Sequence, residues 1–283
     1  MTVTQPRRLA LVHAHPDDES LWTGGTIARY AAAGVEVMVI TCTLGEEGEI
    51  IPPDLAQLRA READQLGGYR IGELRGALAE LGVSRHAFLG GPGRWRDSGM
   101  AGDRANEHPR AFAAGPLHHQ TGMLVEQLAE FRPQVLVSYD AFGGYGHPDH
   151  IRAHEITVAA AALLPEVARV FYAVQSGAAV RGGLAQLSGW DQPFRLPRED
   201  DLAVVDDELI DTVIDTAEHV PAKLRALRAH ATQVSVWESG ERAVYALSND
   251  LAAPVLAKEY FVLASGRPDG ADDDLFGGLE GRG

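Results

Sequence analysis

The sequence predicts an α/β fold, a mostly parallel sheet with helices on both faces and a C-terminal elaboration. Three observations predict it. Short apolar runs alternate with helical periodicity over the first 175 residues. The runs are continuous rather than alternating, as strands buried on both faces must be. The length, 283 residues with 45% hydrophobic and 23% charged, is enough for one sizeable core.

Leu9–Val12 reads as a buried strand that runs straight into His13. A helix is expected over about Thr26–Ala33, with Gly34 as its stop. Val35–Cys42, rich in β-branched residues, predicts the second strand. A long helical stretch follows over about Asp54–Leu81, which Gly67 and Gly68 are expected to interrupt. Ala87–Leu89 predicts a third strand. Residues 90–116, rich in Gly, Pro, Arg and Asp, predict a long loop, and loops of that length are often functional. A helix near 117–131, a strand over Gln134–Tyr139, a helix near 148–163 and a strand over Val170–Val174 follow. Beyond about 176 the pattern loosens, leaving a helix at 220–230 and short strands at Val244–Leu247 and Tyr260–Leu263. Without a repeat or a Pro- or Ser-rich linker, one domain is expected over 1–265, with its core at 8–175 and its elaboration at 176–265. Residues 266–283, dominated by Gly and Asp, are expected to form a flexible acidic tail.

Forty Asp and Glu against 25 Lys and Arg give a net charge of −15, which argues against nucleic acid or an anionic membrane as a partner. No signal-peptide core and no membrane-length apolar run stand out, so a cytoplasmic protein is expected, its oligomeric state left open. The single cysteine, Cys42, reads as a small core residue and excludes both a disulfide framework and a Cys-rich zinc site. Eleven histidines remain. Any metal site must therefore be built from imidazole and carboxylate.

The first strand ends in His13-Ala-His-Pro-Asp-Asp-Glu-Ser20. A Rossmann-like fold that binds a dinucleotide carries Gly-x-Gly-x-x-Gly at this place, and this chain does not. Pro16 ends strand pairing, so His15, Asp17 and Asp18 can converge instead of alternating. A related string, Gly143-Gly-Tyr-Gly-His-Pro-Asp-His150, follows the fourth strand. Pro148 suits the first helical position, which puts His147 at the cap and His150 on the first turn. In a 3-2-1-4-5 strand order the two strings face each other across the crevice where open sheets bind ligands.

Two histidines and one carboxylate suit a divalent cation such as zinc, and also accept iron(II), cobalt or manganese. Such a centre activates water toward an amide or ester; hydrolysis further needs a base for the water's proton and an acid for the leaving amine. The first string offers two aspartates and the second two histidines, in each case one to bind and one spare. Plainer readings apply elsewhere. His13 reads as a buried strand-end residue and His118 and His119 as solvated; His154, one turn past His150 on the same face, is weighed as an alternative ligand against an ordinary helix-face role, which is favoured. His86, His108, His219 and His230 default to surface or capping roles, and Glu19 to a local backbone hydrogen bond.

Ala14–Asp18 and His147–His150 resemble the two hallmark strings of the LmbE/PIG-L family of metal-dependent N-acetylglucosaminyl deacetylases. Thr43–Glu49, Asp64–Arg70 and Gly93–Met100 resemble one branch of it, which removes acetate from N-acetylglucosaminyl-inositol in mycothiol biosynthesis. The resemblance spans about 8–264 and is strongest up to 155. It implies His15, Asp18 and His150 as metal ligands and Asp17 as the general base. It implies that His147 stabilises the tetrahedral intermediate and protonates the departing amine, with Asp149 tuning that imidazole. Tyr145 is implied at the oxyanion, and Arg70, Asp97, Glu49 and Met100 around the inositol ring. One divalent ion is implied, Zn2+ first and Fe2+ second, with a small-molecule pseudodisaccharide as substrate. An ionised Asp17 and a protonated His147 together predict a bell-shaped pH–rate profile. Two other readings stand against this one, the mycothiol S-conjugate amidase reaction and non-catalytic sugar binding. The Gly93–Met100 loop favours the deacetylase, and the joint presence of base, acid and three ligands favours catalysis.

Overall fold

The computed structural model describes residues 6–240 and 242–279. β1 (Arg8–His13) leads into α1 (Asp18–Ala32), β2 (Glu36–Thr41), α2 (Leu66–Glu80), β3 (Arg85–Phe88) and α3 (Leu117–Phe131). β4 (Val135–Ser138), the one-turn α4 (Gly143–Gly146), α5 (Pro148–Ala161) and β5 (Arg169–Val174) follow. The elaboration supplies α6 (Gly177–Leu187), β6 (Thr212–Asp215), α7 (Val220–Ala229), β7 (Ser235–Ser239), β8 (Arg242–Ala246), β9 (Ala253–Pro254) and β10 (Lys258–Gly266).

The central sheet runs β3-β2-β1-β4-β5-β10-β6. Its first five strands are parallel, and β10 enters antiparallel to both β5 and β6. β7, β8 and β9 form a small antiparallel sheet of their own. β1 lies in the middle, with Leu11 beside Val39 on one side and Val137 on the other. All three side chains are fully buried. Strand order reverses between β1 and β4, and their carboxyl ends open a crevice at that switch point. Among the described residues, no helix is long and apolar enough to cross a membrane.

Four expectations need correction. α1 starts at Asp18, directly after the first string, and not near Thr26. Its first half is polar but buried, including Glu19, Ser20 and Thr23, so no apolar stripe betrays it. The stretch expected over 54–81 does break, at 59–65 and thus just ahead of Gly67 and Gly68, which lie inside the first turn of α2. A Cβ at Gly67 would stand 2.8 Å from the Glu46 side chain and 2.9 Å from that of Leu44. The helix accepts the entropic cost of glycine because the 44–46 loop approaches it so closely. α6, rich in Gly and Ala, escaped the sequence pattern, as did β6 and β7.

The flexible tail is the fourth. Its described part, residues 266–279, packs onto the domain, with Ala271, Leu275 and Phe276 in the main core; residues 280–283 lie outside the described residues. The buried Arg169 guanidinium donates to the carbonyls of Arg267 (2.7 Å), Leu275 (3.1 Å) and Asp269 (2.7 Å). Tyr30 donates to Asp274 at 2.8 Å and accepts from the Leu275 amide at 2.7 Å. Glycine and aspartate dominate the composition, but the few apolar residues face inward and decide the outcome.

Phe276→Ala is therefore expected to destabilise the protein by about 3–5 kcal/mol, a core-sized loss readable by urea denaturation. An unchanged midpoint would return this segment to solvent. His86, expected at the surface, is half-buried on β3, with Nε2 3.1 Å from Thr41 Oγ1. Burial lowers its pKa from 6.5 to about 4. Between those values the unfolded chain binds a proton that the folded chain refuses, so this residue costs stability as pH falls from 6.5 toward 4. His86→Gln should lose less stability than the parent between pH 7 and pH 5 in paired denaturation curves. Equal losses would show that His86 does not contribute.

Candidate active site

The string after β1 and the one after β4 meet in the crevice, as the strand order requires. Asp18 opens α1, and His147 caps α5 with Pro148 at its first position. Both helix amino termini thus point at one spot, where their dipoles favour carboxylates.

Three donors stand at its centre. His15 Nδ1 is 3.3 Å from His150 Nε2 and 3.4 Å from Asp18 Oδ2, and His150 Nε2 is 3.3 Å from the same Asp18 oxygen. Donors about 2.0–2.1 Å from a tetrahedral cation stand about 3.3–3.4 Å from one another, so this triangle has the edge lengths of such a site. The outer ring nitrogens settle which atoms are bare. His150 Nδ1 donates to the Gly143 carbonyl at 3.1 Å, and His15 Nε2 donates to Asp149 Oδ2 at 3.3 Å. That leaves a lone pair on each inward nitrogen. Two lone pairs and a carboxylate cannot satisfy one another, and a cation among them satisfies all three. Charge points the same way. Burial opposes a positive charge on His15, yet Asp97, Asp149 and Asp18 outweigh it and hold its pKa well above the usual imidazole value. This spot thus favours a positive charge, which a bound cation supplies in place of a proton. The donor set fits a divalent metal ion.

Asp17 lies beside this triangle and bonds to Arg70 Nη2 at 2.9 Å. Burial pushes its pKa up to about 7 against the pull of Arg70. His147 lies opposite, its ring centre 4.6 Å from that of His15. Its Nδ1 accepts the Asp149 amide at 3.1 Å, so its proton sits on Nε2, 4.0 Å from Asp97 Oδ1. Burial, then the neighbouring His15 and His150, push its pKa down to about 3.

Two implied roles change here. The Asp149 carboxylate accepts from His15 Nε2 and from the Ser98 amide at 2.9 Å, and only the Asp149 backbone meets His147. Asp149 thus orients His15 and does not raise the pKa of His147. Burial and the neighbouring His15 and His150 favour the neutral form of His147 over the imidazolium expected for a bell-shaped profile.

A cavity of about 580 Å³ opens over the triangle. Tyr145, Arg70, Asp97, Glu49 and Met100 all line it, so the structure brings the whole expected set together. Arg70 is nonetheless committed to the protein, through the Gly45 carbonyl (2.8 Å), the Pro16 carbonyl and Asp17. Its work is to hold Asp17. Tyr145, still 43% exposed, places its ring 4.9 Å from that of His150.

His154 turns away and bonds to the Tyr139 carbonyl at 3.0 Å, so it is no alternative ligand. His13 is buried between Thr23 Oγ1 (3.0 Å) and the Tyr139 hydroxyl (3.3 Å), as a satisfied strand-end residue. His118 and His119 are exposed. His230, expected at the surface, is completely buried and bonds to Glu19 at 2.7 Å. Sequence reasoning also missed Tyr139, whose ring stacks on His150 at 4.1 Å, and the cavity residues Trp22, Gln233 and Asn249. An aromatic residue at the end of a strand beside the second string was the available signal for Tyr139.

The PIG-L family model, described as GlcNAc-PI de-N-acetylase, matches residues 10–161, which hold both strings and the donor triangle. The chain belongs to the PIG-L family. A relative from Actinosynnema mirum, named 1D-myo-inositol 2-acetamido-2-deoxy-alpha-D-glucopyranoside deacetylase, is 62% identical over 99% of this chain and 100% of its own. The N,N'-diacetylchitobiose deacetylase of Pyrococcus horikoshii shares the fold, with a TM-score of 0.53 at 17% identity over 81% of this chain and 71% of its own. So does a 4-carboxy-2-hydroxymuconate hydratase from Pseudomonas putida, with a TM-score of 0.58 at 15% identity over 92% and 97% of the two chains. The PIG-L fold therefore does not dictate the reaction, and the site has to.

His15→Ala, Asp18→Asn and His150→Ala are each expected to weaken binding of zinc to the metal-stripped protein by about 10-fold or more, measured by competition with a chromogenic chelator. Parent-like affinity in any of the three would remove that residue from the triangle.

Proposed function

We propose that the chain hydrolyses the N-acetyl group of N-acetylglucosaminyl-inositol to glucosaminyl-inositol and acetate, the step of mycothiol biosynthesis that its sequence resembles. The carrying observation is the donor triangle of His15, Asp18 and His150, flanked by the Arg70-held carboxylate of Asp17 and by the His147 imidazole. The substrate reading is supported by the activity named for the relative at 62% identity. The cavity agrees with it. Glu49, Asp97, Asp103 and Asp201 line it, and carboxylates are the natural acceptors for the many hydroxyl donors of a pseudodisaccharide.

His15, Asp18 and His150 would hold the metal, zinc in this proposal, which supplies Lewis acidity toward the acetyl carbonyl and an ionisable water. Asp17 takes the proton of the attacking water as its oxygen adds to the carbonyl carbon. His147 donates its Nε2–H to the developing oxyanion, and Tyr145, its ring centre 6.0 Å from that of His147, reaches the same region. When the carbon–nitrogen bond breaks, the proton held by Asp17 is the one available for the departing amine, because His147 rests neutral. Arg70 keeps Asp17 aimed at the water throughout.

The S-conjugate amidase remains a second reading for one reason. Val180, Leu184, Leu202 and Leu251 give part of the cavity lining an apolar character suited to a substituent.

Protein purified without air should release acetate from N-acetylglucosaminyl-inositol, lose that activity on chelation and regain it with zinc or iron(II). Faster turnover of an S-conjugate would favour the amidase, and no turnover with any metal would leave only sugar binding. His147→Ala should lower kcat by about 100-fold or more while retaining bound metal. Metal loss equal to that of His150→Ala would show that His147 is a ligand and not an oxyanion donor.

A further inference from the structure

We propose that Glu19 and His230 form a positioning pair that sets the catalytic base, so that the C-terminal elaboration helps build the active site. The inference rests on Asp17 acting as that base.

Asp17 has φ 119° and ψ −31°, a backbone conformation that residues with a side chain rarely adopt and that the surroundings must impose. It occupies the N-cap of α1, yet its side chain makes no capping hydrogen bond. The side chain is turned into the crevice toward Arg70. Another group has to tie down the peptide, and Glu19 does so. Its Oε2 accepts the Asp17 amide at 3.0 Å, reaching back from the second helical position to the N-cap peptide. Glu19 thus fixes the Asp17 peptide, while the Asp17 carboxylate, which makes no cap bond, faces Arg70.

Glu19 is itself completely buried, and a carboxylate in that position requires a full set of donors. Its Oε1 receives the Ser20 hydroxyl at 2.6 Å and His230 Nε2 at 2.7 Å. His230 follows α7 directly, is 0% exposed, and lies 211 residues from Glu19 in sequence. Its hydrogen bond toward the site runs through Glu19, and its charge also acts on Asp17 across space. Arg70 therefore fixes the base at its carboxylate, and the Glu19–His230 pair fixes it at its peptide.

The test uses the full-length, metal-loaded protein. Glu19→Ala and His230→Ala should each lower kcat about 100-fold, the scale on which a misplacement of ~1 Å costs, with KM and bound metal within about twofold of the parent. Glu19→Gln and His230→Gln, which keep an acceptor and a donor in place, should recover to within about 10-fold of parental kcat. A crystal structure of Glu19→Ala should show Asp17 at negative φ with its carboxylate away from Arg70. Parental kcat in Glu19→Ala, or metal loss that parallels the loss of kcat, would overturn the proposal. If the alanine variants do not fold, Glu19→Asp carries the test, because it keeps the charge but falls one methylene short of the Asp17 amide. Lowered kcat with KM and metal retained supports the pair there, and parental kcat overturns it. Asp17→Asn separates the two layers. An active Asp17→Asn enzyme removes the base itself, whereas an inactive one beside a fully active Glu19→Ala enzyme removes only the positioning pair.

Discussion

Two imidazole nitrogens held bare, 3.3 Å from each other and 3.3–3.4 Å from one carboxylate oxygen, are the constraint on which the rest of this site depends. In a buried crevice such an arrangement is stable only with a positive charge among the three. The partners behind the rings enforce it. The Gly143 carbonyl and the Asp149 carboxylate each claim the outer ring proton and thereby decide which nitrogen faces inward. Gly143 can sit there only as glycine, because a Cβ with φ +68° would stand 2.7 Å from the Cβ of His150.

The fold satisfies that constraint with two helix starts and a returning C-terminal region. α1 and α5 begin at the crevice, so Asp18, Glu19 and Asp149 all sit on first turns, where the helix dipoles offset their charge. The elaboration is tied in by buried polar pairs as much as by apolar contact. Lys223 of α7 meets Glu259 of β10 at 2.7 Å, and Glu259 also accepts the amides of Gly25 and Thr26 in α1. His230 and Glu19 repeat the device about two turns closer to the site. Removing one member of such a pair leaves the other charged and buried, so these contacts fix geometry more than they add stability.

The sequence was most legible where one local pattern sufficed. β1 and β4 are continuous apolar runs, and the helix near 117–131 was legible because its buried positions recur with helical period. The start of α1 was hidden because its buried residues are polar, chosen for the site and not for the core. His230 looked like a surface residue because its partner is 211 residues away. The 266–279 segment looked like a tail because three inward apolar residues barely register in its composition.

By itself, the sequence determined the chemistry on offer. With one cysteine and two short histidine–aspartate strings at strand ends, the metal ligands had to be imidazole and carboxylate, and their number was right for a divalent ion. Ligand identity and spacing within a string are local, and a turn after a strand is enough to bring His15 and Asp18 together. Only the tertiary structure decided how those groups are used. It assigned the Asp149 carboxylate to His15, left His147 neutral, spent Arg70 on Asp17, and reached from the end of α7 to hold Glu19. Proton positions, and the orientation of a ring across a crevice, depend on partners more than 100 residues apart in the chain, and packing alone brings those partners within hydrogen-bond reach.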